Sequence, residues 1–204
     1  MNANGYFRKL DPQIKEMAGF PIPPDWWSRG YEYAWAIAQA RPGEMVMDAG
    51  CGFGHPLKYE LAKVSKRVFA VDVSPGVLEL TEREGVEYIC ADMADTGLPA
   101  ESMDTIYCIS VLEHLKKEEL WDVWQEFIRL LKPGGRVVIT LDVLFDPGKG
   151  PKHSWVEGPA QFLATLPEKL GIEAPAPVNM PDDAVSNRPL NLAVYKLILR
   201  KAGD

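Results

Sequence analysis

Three glycines and an aspartate stand close together in the segment Val46-Met47-Asp48-Ala49-Gly50-Cys51-Gly52-Phe53-Gly54. Glycine lets the backbone turn sharply and approach a ligand without a Cβ in the way. Taken alone, this pattern also fits a tight connection between a strand and a helix. The negative charge of Asp48, two residues before the first glycine, favours a cationic ligand at the loop, such as an ammonium or a sulfonium.

The loop departs from the Gly-x-Gly-x-x-Gly/Ala pattern that binds the pyrophosphate of dinucleotides. Counted from Gly50 the third position is His55, and counted from Gly52 it is Leu57; neither residue is small. Asp48 would also repel a pyrophosphate, since unit charges about 4 Å apart interact by roughly 4 kcal/mol at an effective dielectric constant near 20. An NAD-type oxidoreductase is therefore disfavoured.

Two further aspartates follow short apolar stretches downstream of the loop. Asp72 lies about 20 residues further on, where an acidic side chain can accept hydrogen bonds from both hydroxyls of a ribose. Asp92 could accept from an exocyclic amine while Met93 packs on a purine face. Each aspartate alone also fits a loop cap. Together with Asp48, they indicate a site for a nucleoside that carries a cationic tail.

These residues must be positioned by the β-branched stretches that alternate with amphipathic ones. The pattern predicts strands at 45–47, 67–72, 86–90, 103–110, 136–141 and 192–199, and helices at 28–40, 56–65, from Ser74-Pro75 onward, 116–131 and 159–170. Such alternation predicts an α/β fold, a doubly wound parallel sheet with helices on both faces. Ligands bind such sheets beyond the carboxyl ends of the strands, which is where the three aspartates fall.

The composition of the chain excludes several classes of protein. Its 204 residues are 47% hydrophobic and 25% charged, with a formal net charge of −7. These values exclude collagen, a coiled coil and a disordered chain. The negative charge argues against nucleic acid as a partner, and no apolar run approaches the roughly 20 residues of a membrane span. The N-terminus lacks the apolar core of a signal peptide. The three cysteines form no Cys-x-x-Cys pair, so we expect reduced thiols in a cytoplasmic protein.

From residue 45 to residue 141 the motifs resemble those of the class I S-adenosylmethionine-dependent methyltransferases, in their small-molecule branch (methyltransferase type 11/25-like). The resemblance rests on the glycine loop, Val71-Asp72-Val73-Ser74, Cys90-Ala91-Asp92-Met93, Met103-Asp104-Thr105-Ile106-Tyr107-Cys108-Ile109-Ser110-Val111-Leu112-Glu113-His114-Leu115, and Leu131-Lys132-Pro133-Gly134-Gly135-Arg136-Val137. It implies a Rossmann-like seven-stranded sheet, mostly parallel, with an antiparallel last strand at 192–199 and a short sixth strand near 172–178.

The resemblance also implies a role for each matching residue, with S-adenosylmethionine as cofactor. The methionine part would be held by Asp48, Ala49, Gly50, Cys51, Gly52 and Gly54, the ribose by Asp72 with Val73, and the adenine by Asp92 with Met93. Ser110 and Val111 would line the inner side of the cofactor. Arg29 and Tyr33 lie in a segment similar to one whose arginine and tyrosine approach the cofactor carboxylate in some family members.

One methyltransferase domain is expected to span residues 1–204. Its predicted parts are an N-terminal helical cap at 1–44, the cofactor-binding core at 45–142, an acceptor-covering segment at 143–190 and a terminal strand at 191–204. The covering segment is proline-rich, which suits a pocket cover better than an independent domain. The protein is expected to be a monomer or a homodimer.

The predicted reaction is in-line transfer of a methyl group to an oxygen or nitrogen nucleophile of a small molecule, such as a sugar or a secondary metabolite. Alignment of the nucleophile and exclusion of water supply most of the acceleration, so no universal base is required. His114 and His153 are the candidate acid–base residues. No metal site is expected. A non-catalytic member that binds a cofactor or a partner stays open as an alternative, with an NAD-type oxidoreductase less favoured.

Overall fold

A central β-sheet organises the computed structural model, which describes residues 4–80, 85–146, 156–166 and 171–203. The strands are β1 (Gly5–Tyr6), β2 (Glu16–Met17), β3 (Phe20–Pro21), β4 (Met45–Ala49), β5 (Arg67–Asp72), β6 (Val86–Cys90), β7 (Met103–Ile109), β8 (Leu131–Leu144), β9 (Ile172–Glu173), β10 (Ser186–Asn187) and β11 (Leu192–Lys201). The main sheet has the order β1-β11-β8-β7-β4-β5-β6, with β9 and β10 also paired to β11. Strands β2 and β3 form a separate hairpin.

Strands β4 to β8 are parallel, and β11 runs antiparallel to β8. The predicted doubly wound, mostly parallel sheet with an antiparallel last strand is therefore confirmed. The chain order reverses at β4, which has β5 on one side and β7 on the other. This is the topological switch point, so the loops that follow β4, β5 and β7 meet at one edge of the sheet.

The outer edge of the sheet differs from the sequence-based expectation of a sixth strand near 172–178. Only Ile172–Glu173 pairs there, antiparallel to the end of β11. Pro175 and Pro177 have no N–H with which to continue a ladder. The N-terminal segment pairs with the same strand instead, since Gly5 lies opposite Lys196 and Tyr6 opposite Tyr195.

The helices are shorter than the sequence pattern predicted. They are α1 (Arg29–Ile37), α2 (Leu57–Ala62), α3 (Leu120–Leu130) and α4 (Pro159–Leu163), with 3-10 turns at Pro75–Glu79, Leu112–His114 and Lys117–Glu119. Ser74 precedes the first of these turns but makes no side-chain cap hydrogen bond. The end of the helix predicted at 159–170 falls on residues 167–170, which lie outside the described residues. No helix in the described ranges is long and apolar enough to cross a membrane.

The start of β8 also differs from the prediction of a helix at 116–131 and a separate strand at 136–141. Leu131 pairs with Met103 and Arg136 pairs with Thr105, so the four residues between bulge out of the ladder. The helix thus ends at Leu130 and the chain enters the sheet at once. Gly134 takes a φ of +72°, which suits glycine at the tip of such a bulge.

The core lies on both faces of the sheet, because alternate strand residues point to opposite sides. One face packs against α1 and α2 through a buried cluster that includes Val46, Val68, Trp35 and Leu61. The other face packs against α3 through a cluster that includes Met47, Ile106, Trp124 and Phe127. Helices thus cover both faces of the sheet, as predicted.

Candidate functional site

The glycine loop begins where β4 ends and is held by its neighbour β5. The Gly50 and Cys51 amides donate to the Val71 carbonyl at 2.9 and 3.0 Å, and Gly50 and Gly52 have φ values of +70° and +56°. A Cβ on Gly50 would lie 2.7 Å from both methyl groups of Val111. Glycine is needed at this position for backbone conformation and for packing alike.

Lys58 organises the other side of this loop and was missed by sequence reasoning. Its side chain is fully buried, and its Nζ donates to the carbonyls of Cys51, Gly52 and His55 at 3.1, 2.9 and 2.6 Å. An ammonium has three donors, so all of them are used by the loop. The available signal was a lysine four residues beyond Gly54, inside the helix that the loop enters.

Asp48 lies beneath the loop at the end of β4 and is only 4% exposed. Its Oδ2 is buried and has no hydrogen-bond partner among the described residues. Burial raises the pKa of Asp48 to about 6; the Lys58 charge opposes this shift and the Asp72 charge adds to it. Since every N–H of Lys58 is bonded to a carbonyl, Asp48 has a nearby positive charge but no donor. A ligand with an N–H group would supply one.

The carboxylate of Asp72 already binds the loop backbone. Its Oδ2 accepts from the Gly52 amide and its Oδ1 from the Ser74 amide, both at 2.9 Å. Each carboxylate oxygen accepts more than one hydrogen bond, so a ribose can be added to these contacts. Asp92 is exposed, and its Oδ1 accepts from the Ala94 amide at 2.9 Å. Both aspartates thus act as loop caps here, in addition to any role in binding.

A buried carboxylate on α1 joins the N-terminal helix to the sheet. Glu32 is fully buried and accepts hydrogen bonds from the hydroxyls of Ser110 and Thr140 and from Arg29, whose Nη1 is 2.7 Å from Oε1. Burial opposes ionisation, but Arg29 and these hydroxyls outweigh it and lower the pKa of Glu32. Ser110 has a φ of +50°, unusual for a residue with a side chain.

His55 lies between the aromatic N-terminal segment and the loop. Its ring stacks on Trp26 with centroids 4.5 Å apart, and its Nδ1 is 2.6 Å from the Tyr33 hydroxyl. Burial, together with the charges of Arg29 and Lys58, lowers the pKa of His55 to about 4. The imidazole is therefore neutral at physiological pH and serves packing and hydrogen bonding.

Two acidic residues meet where the turn after β7 approaches the last residues of β8. Glu113 is fully buried, and its Oε1 accepts from the Asp142 amide at 3.0 Å. Glu113 Oε2 and Asp142 Oδ1 are buried atoms with no partner in the described part of the chain. Burial and the Asp142 charge raise the pKa of Glu113 to about 8. Burial and Glu32 raise the pKa of Asp142 to about 7, and Arg29 opposes this shift.

Many of the predicted site residues come together at one cleft. It is lined by Arg29, Tyr33, Asp48, Gly50, Cys51, Ser110 and Val111, with His55, Leu57 and Ile109. A second cleft is lined by Asp25, Trp26, Trp27, Ser28, Arg29, His55 and Asp142. Because Arg29 and His55 line both, the two clefts adjoin.

The other predicted site residues lie elsewhere. Ala49 and Met93 are buried in the core, Gly54 is exposed and the Val73 side chain is 65% exposed. The His114 side chain is exposed, whereas its neighbour Glu113 is the buried member of that motif. His153 lies outside the described residues. Within the described ranges no group of three or more His, Cys, Asp or Glu side chains could hold a metal ion.

Comparison with known proteins identifies the sheet core. Residues 47–139 match a family model described as a methyltransferase domain. Malonyl-[acyl-carrier protein] O-methyltransferase from Yersinia pestis is 32% identical over 106 residues, which are 51% of this chain and 39% of that protein. Phosphoethanolamine N-methyltransferase 1 from Zea mays is 30% identical over 139 residues, 65% of this chain and 25% of that protein. The chain thus spans less than half the length of these relatives.

Solved structures share the fold over most of the chain. The crystal structure of a 1,6-didemethyltoxoflavin-N1-methyltransferase from Burkholderia thailandensis, with bound S-adenosylhomocysteine, has a TM-score of 0.62 at 23% identity and covers 88% of this chain and 82% of that chain. The crystal structure of the [4+2]-cyclase SpnF has a TM-score of 0.70 at 16% identity and covers 100% of this chain and 88% of that chain. In residues 47–139, therefore, the chain carries a class I S-adenosylmethionine-dependent methyltransferase domain, as its motifs predicted.

Proposed function

We propose that this protein binds S-adenosylmethionine at the glycine loop and transfers its methyl group to an oxygen or nitrogen nucleophile of a small molecule. The observation that carries the proposal is Asp48, a buried carboxylate with an unsatisfied oxygen beside a loop of bare backbone. Such a group favours a cationic ligand that brings its own N–H donors. When bound, S-adenosylmethionine supplies an electrophilic methyl group on a positively charged sulfur.

The residues of the loop and of the strand ends have separate tasks in this proposal. Asp48, Gly50 and Cys51 hold the methionine part, and Asp72 holds the ribose while it keeps Gly52 and Ser74 in place. Asp92 and Met93 hold the adenine. These roles remain a proposal, supported by the position of all these residues at the carboxyl ends of β4, β5 and β6.

The adjoining cleft is the proposed acceptor site. Trp26, Trp27 and Asp142 line it together with Arg29 and His55, which it shares with the cleft at the glycine loop. We propose that residues 1–44 and 143–190 cover this side and exclude water, within one domain. His114 is the less favoured proton acceptor, because its side chain is exposed whereas Asp142 lines the cleft. His153, which lies outside the described residues, stays a proposed acid–base residue.

Calorimetric titration with S-adenosylmethionine, S-adenosylhomocysteine and NAD tests cofactor choice. We expect dissociation constants in the micromolar range, about −8 kcal/mol, for the sulfur compounds and no binding of NAD. Asp72→Asn should weaken binding about 10-fold or more, because a charged acceptor is lost. The matched control is Asp122→Asn, an exposed acid on α3. Equal affinity of wild type and Asp72→Asn would refute the ribose role, and binding of NAD alone would refute the proposal.

The fold alone also accommodates other chemistry, since one structural neighbour is named as a cyclase. Transfer of label from methyl-labelled cofactor to a panel of sugars, amines, phenols and carboxylates separates a methyltransferase from a protein that only binds the cofactor. Tight cofactor binding without label transfer to any acceptor class would favour the second function.

A further inference from the structure

The proposed acceptor cleft is acidic, because its arginine is neutralised by a neighbouring carboxylate. Among the described residues that line it, Arg29 is the one basic side chain apart from the neutral His55, and the Glu32 carboxylate 2.7 Å away neutralises that charge. Asp25 and Asp142 remain as the acidic residues of the lining. The indole rings of Trp26 and Trp27 form the apolar part of the lining, and the faces of such rings attract cations.

Two carboxylate oxygens, one on a residue that lines this cleft and one on its hydrogen-bonded neighbour, receive no donor from the described residues. They are the buried Oδ1 of Asp142, which lines the cleft, and the buried Oε2 of Glu113. Glu113 is fully buried and is tied to Asp142 through its backbone amide. A buried acceptor without a donor costs free energy, so the arrangement is complementary to a ligand that donates hydrogen bonds.

We propose that the methyl acceptor is a primary or secondary amine, that Asp142 binds its nitrogen and removes its proton, and that Glu113 is a positioning residue behind Asp142. This inference rests on the proposed function, and it narrows the acceptor from an oxygen or nitrogen nucleophile to nitrogen. Asp142 acts as a catalytic residue because it touches the reacting atom.

A primary amine binds to the Asp142 carboxylate in its ammonium form and gives it one proton, which leaves a neutral amine with a free electron pair. That nitrogen attacks the methyl carbon of the cofactor, and the carbon–sulfur bond breaks with its electron pair going to sulfur. The product is a methylated ammonium and a neutral thioether, and the proton on Asp142 passes to solvent.

The surroundings of Asp142 suit proton removal from an amine. The groups that face it are Glu32 and Arg29 from α1 and Glu113 from the turn after β7. Burial raises the pKa of Asp142 to about 7, within about 3 units of an alkylammonium near 10.4, whereas an ordinary aspartate is more than 6 units away. A hydroxyl of water-like acidity, near 15.7, stays about 9 units out of reach. A phenol, near 10, is as acidic as the ammonium but brings no positive charge to the acidic residues. A carboxylate acceptor would be repelled.

Binding to protein loaded with S-adenosylhomocysteine tests the inference without turnover. The probes are a panel of amines, from methylamine to 2-phenylethylamine, each compared with the alcohol and the carboxylic acid of the same skeleton. We expect at least one amine to bind about 10-fold or more tightly than its alcohol, as measured by calorimetry. Asp142→Asn should abolish this preference, whereas Asp122→Asn should keep it.

The outcomes separate the two proposals. If the protein does not bind S-adenosylhomocysteine, the proposed function fails. If it binds S-adenosylhomocysteine but binds no amine of the panel, prefers alcohols or acids, or keeps its amine preference in Asp142→Asn, the amine inference fails alone. Unchanged affinity of Asp142→Asn for S-adenosylhomocysteine shows that this variant is folded.

The pH dependence of amine affinity tests the role of Glu113. In the wild type, affinity should rise as Asp142 ionises near pH 7 and again as Glu113 ionises near pH 8. Glu113→Gln cannot ionise, so it should keep the first rise and lose the second. If the amine affinity of Glu113→Gln is lower than that of wild type by the same factor at every pH, Glu113 has only a structural role.

Discussion

Lys58 offers the sharpest test of how the glycine loop is held. The change Lys58→Met keeps most of the buried side-chain volume but removes the ammonium that donates to three loop carbonyls. Hydrogen bonds from a charged group are worth about 1.5–3 kcal/mol each. The variant also no longer has to bury an ammonium, whose desolvation costs several kcal/mol, and this gain offsets part of the loss of hydrogen bonds.

We therefore expect Lys58→Met to lower the free energy of unfolding by about 3 kcal/mol. At a urea dependence of about 2 kcal/mol per molar, the midpoint of unfolding should fall by about 1.5 M. The same change should weaken binding of S-adenosylhomocysteine, because the loop carbonyls and Asp48 lose their nearby cation. Tryptophan fluorescence in urea measures the first effect and calorimetry the second.

The matched control is Lys63→Met just beyond the same helix. Lys63 is exposed and, among the described residues, pairs with Glu60 alone, so its loss should change stability by less than about 0.5 kcal/mol. If Lys58→Met is as stable as this control and binds the cofactor product as well as wild type does, the buried lysine does not organise the loop.

The remaining predictions concern buried charge and packing. Glu32→Gln should lower the free energy of unfolding by about 3–5 kcal/mol, because it leaves Arg29 buried without its counter-charge; a loss below 1 kcal/mol in urea unfolding, about the value of an exposed pair, would contradict this. Because Glu113 has a raised pKa in the folded state, its stabilising contribution is complete below about pH 4.5 and is lost as pH rises to about 8. Thermal unfolding should thus show wild type losing stability between pH 5 and 8, and Glu113→Gln losing less; identical slopes would refute the assignment. Gly50→Ala should cost about 2–4 kcal/mol from its positive φ and overpacking, whereas Gly54→Ala, whose Cβ would meet no atom within 4 Å, should cost under about 0.5 kcal/mol; equal urea midpoints for the two would contradict the packing argument.

Local pattern predicted the bounds of several strands closely. The strand predicted at 86–90 is observed as Val86–Cys90, and the one predicted at 192–199 is the core of the antiparallel strand Leu192–Lys201. Both stretches are rich in β-branched and aromatic residues, so the local preference for a strand agrees with the pairing that the neighbouring strands supply. The predictions were weaker at 131–135 and 172–178, where pairing with a distant strand decides how far the sheet extends.

The sequence by itself determined the order of strands and helices, the place of the glycine loop and the acidic residues at the strand ends, because these depend on near neighbours in the chain. Only the tertiary structure decided which charges are buried and which lack partners. Glu32 meets hydroxyls 78 and 108 residues away, and Glu113 accepts from the amide of Asp142. A carboxylate has the same formula in a solvated loop and in a core; its pKa and its need for a donor follow from how much water the fold leaves around it.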